Sequence, residues 1–140
     1  MITFLLSCLL FLVFCILSAF HFFWLFGGTW GLKYVIPTPS IKTSSQAIPK
    51  FATLLVALVL QAFGLVYLKK TGISDLKINI PVFIYWGIPI IFIIRVIGDF
   101  KYLGIFKKIK NTAFSKSDTK LFIPLCIGIA VSGILIQMLN

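Results

Sequence analysis

The sequence predicts an all-α fold, an integral-membrane antiparallel four-helix bundle, and three observations lead there. Of 140 residues, 60% are hydrophobic and only 11% charged, against roughly 25% charged in a soluble domain. Mean hydropathy is +1.10. The apolar residues gather into four long runs, with nearly every basic residue placed between them. A chain this short, mostly occupied by such runs, forms one transmembrane domain over residues 1–140 and leaves no room for a sizeable aqueous catalytic domain.

The first run, Ile2 to Phe26, carries no charge. As a helix it measures about 37 Å, more than the roughly 30 Å of a hydrocarbon core. It lacks the basic start, short apolar stretch and small-residue cleavage site of a signal peptide, so it is expected to stay as a span. The second span covers about 51–68 and ends at Lys69 and Lys70; the third covers about 80–98, with Pro81 suited to a first helical turn. The fourth covers about 121–139. Pro89 and Pro124 each free a backbone carbonyl and are expected to bend their helices.

Small or polar residues recur at helical spacing in each span: Cys8, Cys15 and Ser18; Thr53, Ala57, Gln61 and Gly64; Gly87, Ile91, Arg95 and Gly98; Gly128 and Ser132. Close helix approach in lipid favours such stripes, so they are read as the inward seams of the bundle.

Net charge is +10, which in a soluble chain would suggest nucleic acid; here no nucleic acid is expected, because the positive charge follows topology. With four spans, the loops 27–50 and 99–120 share one side and hold Lys33, Lys42, Lys50, Lys101, Lys107, Lys108, Lys110, Lys116 and Lys120. The loop 69–79 holds Lys69, Lys70 and Lys77. Nine lysines against three place the longer loops in the cytoplasm and both termini outside a plasma membrane that the chain crosses several times.

This threading brings His21, Trp24, Trp30, Arg95, Asp99, Lys101 and Asp118 into one layer. Ionisable groups within a span are costly unless paired or hydrated, which makes them candidates for function. Arg95 and Asp99, four apart, are expected to pair on one helix face, either to fasten the bundle or to serve a binding site. His21 lies one turn before Trp24. A packing role is its plain reading; proton transfer would need Asp99 or Asp118 beside it. Trp24, Trp30, Tyr34 and Tyr102 fit an interfacial aromatic belt. The string GGTWG, Gly27 to Gly31, reads as a helix stop and turn rather than a phosphate loop.

Between spans three and four, Lys107, Lys108, Lys110, Lys116 and Lys120 alternate with Phe106, Ile109 and Phe114. The segment suits an amphipathic surface lying on anionic headgroups, with Lys107, Lys108 and Lys110 as lipid contacts, or else a solvated loop. Ser117 and Asp118 suit the N-terminus of the last helix. Cys8, Cys15 and Cys126 all fall in apolar runs, so no disulfide is expected. With a single histidine and no CxxC spacing, no metal site and no cofactor are expected.

Two strings, HFFWLFGGTWG (His21–Gly31, followed by Ile36, Pro37 and Thr38) and RVIGDFKYLGIFKKIKNTAFSKSDTKLFIPLC (Arg95–Cys126), resemble the signatures of a family of small bacterial four-helix membrane proteins catalogued as a domain of unknown function. The resemblance covers almost the whole chain and implies no activity, substrate or cofactor. It implies that His21, Trp24, Gly28, Trp30, Gly31, Arg95, Gly98, Asp99 and Asp118 match the family's pattern. Lys33 departs from it, since members often carry an acidic residue nearby.

Three functions compete. A binding or transport module would hold a small amphipathic or anionic ligand, such as a lipid headgroup, in a cytoplasmic-leaflet pocket of His21, Trp24, Trp30, Arg95, Asp99 and Asp118. An accessory subunit would pack against another membrane protein or a second copy. An intramembrane enzyme would use His21 and Asp99 on a lipid-soluble substrate, but no activated nucleophile or cofactor motif accompanies them. Binding ranks first and enzyme last.

Overall fold

The computed structural model describes residues 1–36 and 49–140; Pro37, Thr38 and Lys42, used above, lie outside the described residues. Every element among them is helical. In chain order these are α1 (Ile2–Leu25), a short α2 (Leu32–Val35), α3 (Lys50–Thr71), α4 (Val82–Ile97), a short α5 (Ala113–Ser117) and α6 (Ile123–Met138). A π-turn over Asp118–Phe122 joins α5 to α6, so that Ala113–Met138 runs without a break.

Three of these, α1, α3 and the continuous Ala113–Met138, are long and apolar enough to cross a membrane, as expected of a membrane protein. The third expected span is shorter than the others. Its helix, α4, has 16 residues and measures about 24 Å. Pro81 bounds it on one side and Gly98, with φ +82, on the other.

The helices form two antiparallel pairs, α1 with α3 and α4 with α6, and α1 also touches α6. The first pair is registered by Ser18, whose Oγ donates to the carbonyl of Ala57 at 2.8 Å, and by Phe14 against Phe63 and Tyr67. In the second pair, Pro89 meets Gly133, where a Cβ would come within 2.6 Å of the proline ring. The same Cβ would lie 2.8 Å from the Tyr67 hydroxyl, so this glycine is what lets the two pairs close together. Phe14 and Phe92, 5.6 Å apart, complete the centre.

The buried stripes are Ser7, Leu10, Phe14 and Ser18; Thr53, Ala57, Leu60, Gly64 and Tyr67; Tyr85, Ile88, Pro89, Phe92 and Val96; and Cys126, Ile129, Ala130, Gly133 and Ile136. Two expected seams are thereby corrected. Ile91 and Gly128 are exposed, and Gly87, though half-buried, has open space where a Cβ would stand. Lipid is as apolar as the interior, so large side chains are equally at home on either face, and the close approach at Pro89–Gly133 sets the rotation of α4 and α6. Cys8, Cys15 and Cys126 are free thiols.

Candidate functional site

The ends of α1 and α4 and the starts of α3 and α5 meet at one end of the molecule, where α2 packs on α5. The six candidate ligand-binding residues all come to this end, but they divide into separate groups.

The first group is aromatic. His21 Nδ1 lies 2.7 Å from the Leu17 carbonyl, one turn back. A carbonyl only accepts, so Nδ1 carries the proton and, in the neutral ring, Nε2 is left as an acceptor. Trp24 meets His21 edge to face at 5.4 Å and donates from Nε1 to the Trp30 carbonyl at 2.9 Å, which folds the GGTWG turn back on the helix. Phe20 stacks on both tryptophans. Gly27 and Gly31, with φ +97 and +77, take the left-handed conformations that the turn demands. His21 and Trp24, with Leu32, Val35, Ile36 and Thr53, line a small cavity of about 130 Å³.

The second group is ionic and corrects the expected pairing. Arg95 does not pair with Asp99. Its Nη2 donates to Asp118 Oδ1 at 2.7 Å, across 23 residues of sequence. Gly98 ends α4 before Asp99, so the two residues no longer share a helical face. Asp99 instead turns its Oδ1 to the backbone N–H groups of Lys101, Tyr102 and Leu103, at 2.9, 2.8 and 2.9 Å. Those bonds, Leu103's foremost, hold its carboxyl below the usual carboxylate range.

Asp118 is the centre of this group. Its side chain is fully buried and its Oδ2 accepts from the Gly104 N–H at 3.0 Å and from Lys107 Nζ at 3.2 Å. Lys107, with only 4% of its side chain exposed, also donates to the Gly104 carbonyl and to Thr119 Oγ1. The loop reaches Asp118 because Gly98 and Gly104 adopt positive φ and because Ile105 N–H bonds the Val96 carbonyl at 2.8 Å. A Cβ on Gly104 would overlap the carbonyls of Val96 and Ile97. Asp118 is therefore not a helix cap. Thr112 caps α5, its Oγ1 accepting from Ser115 N–H at 3.0 Å, and Asp118 sits five residues into the helix, where the π-turn begins.

Beside Asp118 lies an open groove of about 430 Å³ lined by Ile105, Lys107, Lys110, Ser115, Lys116, Thr119, Lys120 and Ile123. Of the three lysines expected at headgroups, Lys110 lines the groove, Lys107 forms its back as part of the ionic group, and Lys108 is exposed outside the lining. Within the segment read either as an amphipathic surface or as a solvated loop, residues 101–111 form a folded loop in which the Lys101 carbonyl accepts from Lys108 and Ile109 N–H. His21 bonds its own helix and lies with neither Asp99 nor Asp118 in the described hydrogen bonds.

From the sequence alone Gly104 and Thr119 could not be selected, nor could Lys107 be set apart from the neighbouring lysines with which it was grouped. The available signal was the run of lysines bracketing Asp118, the one acidic residue among them after Asp99.

A family model described as "Protein of unknown function (DUF3995)" matches residues 14–133, and the chain belongs to that family. No curated protein and no solved structure matches it.

Proposed function

We propose that this member of the family is a four-pass plasma-membrane protein, a single antiparallel four-helix domain with both termini outside, that binds an anionic amphipathic ligand at its cytoplasmic end. The ligand's charged head lies among Lys110, Lys116 and Lys120, and its apolar part runs along Ile105 and Ile123. One observation carries the reading: the groove lining combines four lysines, two hydroxyls and two isoleucines, and contains no acidic residue. Its location suits a lipid of the inner leaflet, where anionic headgroups and juxtamembrane lysines attract each other.

The four-pass threading draws support from several features. The apolar Ile80 and Pro81 precede α4 outside the helix, Pro81 with φ −58 and ψ 144, and at about 3.3 Å for each extended residue such a pair would lengthen its roughly 24 Å to about the thickness of a hydrocarbon core. Both helix pairs are antiparallel, and the lysine asymmetry favours cytoplasmic placement of the groove. In this reading the Trp24–Trp30–Phe20 cluster anchors the same end at the headgroup level.

The test uses the full chain purified in mild detergent. Dihexanoyl phosphatidylglycerol, below its micelle concentration, should bind at least about tenfold more tightly than dihexanoyl phosphatidylcholine, and a K110Q/K116Q/K120Q variant should lose that preference. Equal affinity for the two lipids in the wild type would refute the proposal.

A further inference from the structure

The ionic group behind the groove narrows the headgroup. Lys107 Nζ has three protons, and each has a partner: the Gly104 carbonyl at 3.2 Å, Asp118 Oδ2 at 3.2 Å and Thr119 Oγ1 at 2.7 Å. Lys107 therefore offers a ligand no hydrogen bond, only a fixed charge. Thr119 is placed differently. An ammonium can only donate, so Thr119 Oγ1 is the acceptor in that bond and its own hydroxyl proton is left for another acceptor. Thr119 is exposed and lines the groove.

The charges add to this. Arg95 and Lys107 oppose a single carboxylate, so the group keeps an excess of one positive charge at the back of the groove. Salt screens buried charge far less than exposed charge. Lys110, Lys116 and Lys120 stand in front, and Ser115 provides a second hydroxyl.

We propose that the groove is a phosphomonoester site, taking a lipid whose phosphate is terminal in preference to one whose phosphate is a diester. The inference rests on the anionic-amphiphile reading above. A phosphomonoester carries about 1.5 to 2 negative charges at neutral pH and three terminal oxygens. A phosphodiester carries one charge and two such oxygens. The third oxygen of the monoester accepts from the Thr119 hydroxyl, and its additional charge meets the excess behind it. In a diester that position holds an esterified oxygen with its substituent, which leaves both unanswered.

The experiment compares dihexanoyl phosphatidic acid, dihexanoyl phosphatidylglycerol and glycerol 3-phosphate, each titrated into the detergent-purified full chain. Phosphatidic acid should bind about tenfold or more tightly than phosphatidylglycerol. Glycerol 3-phosphate, which has the head without the chains, should bind more weakly than phosphatidic acid. Thr119→Val should shrink the ratio between the two lipids to below about threefold, and Thr119→Ser should restore it. Equal affinities for the two lipids, both lost in K110Q/K116Q/K120Q, would overturn the phosphomonoester assignment and leave the anionic-amphiphile reading standing. Binding of neither lipid would overturn both. Glycerol 3-phosphate binding as tightly as phosphatidic acid would overturn the lipid as the source of the phosphate.

Discussion

Asp118→Asn gives the most direct test of the ionic group. The substitution keeps the shape of the side chain but removes its charge and turns an amide N–H₂ toward one of two cations. In the native chain the carboxylate is fully buried and accepts three bonds, from Arg95, Gly104 and Lys107. Breaking a buried ion pair from one side costs about 3–5 kcal/mol, because the surviving charge stays buried without compensation. Lys107 is 4% exposed and bears that cost in full; Arg95, at 27%, is partly relieved by solvent. The expected loss is therefore at the lower end, about 3 kcal/mol, which corresponds to a fall of roughly 10 °C in Tm for a chain of this size. Thermal unfolding in detergent, followed by tryptophan fluorescence, measures it. Adding Lys107→Met removes the stranded ammonium, so the double variant should recover part of the loss, a non-additivity that marks direct coupling. An Asp118→Asn protein melting within about 2 °C of wild type would refute the electrostatic account.

Two glycines should respond with opposite signs. Gly104→Ala forces a Cβ against the Val96 and Ile97 carbonyls at φ +83 and should destabilise by at least about 1–3 kcal/mol, whereas Gly87→Ala, whose Cβ meets nothing, should stabilise by about 0.5–1 kcal/mol; both read out as Tm. Asp99 has a lowered pKa in the folded chain, so its contribution to stability is complete above the ordinary carboxylate value near 3.8 and is lost as pH falls through the lower folded value. Asp99→Asn should accordingly flatten the acid limb of a Tm-against-pH profile, and an unchanged limb would count against the three-bond turn. Ser18→Ala removes the α1–α3 hydrogen bond and should cost only about 0.6 kcal/mol, as interhelical bonds in membranes do; a Tm loss as large as that of Asp118→Asn would show that this bond, rather than apolar packing, holds α1 to α3.

Much of the fold was legible in the residues. The helices over Ile2–Leu25, Lys50–Thr71 and Val82–Ile97 lie close to the apolar runs, since backbone groups in an apolar setting must satisfy one another within the segment. Pro81 precedes α4 as its place before the run suggested, while the true stops of α3 and α4 are Gly72 and Gly98, both at positive φ. The last helix was less legible. It starts at Ala113, several residues before the apolar run, because Thr112 caps it in a stretch whose lysines and serines carry no hydropathy signal.

The partners of the charged residues belong to tertiary structure alone. Spacing of four relates Arg95 to Asp99 only while a helix continues through both, and a single left-handed glycine between them sends one carboxylate to a backbone turn and leaves the guanidinium for another, 23 residues on. Likewise, residue type identified Lys107, Lys108 and Lys110 as equals, yet the loop buries the first, exposes the second and turns the third to the groove. Composition fixed that the chain is helical and apolar, because hydration of its side chains is a local property. Which charge meets which depends on where the chain turns back, and that is settled by packing contacts such as Gly133 on Pro89 and Gly104 under α4, which no local pattern encodes.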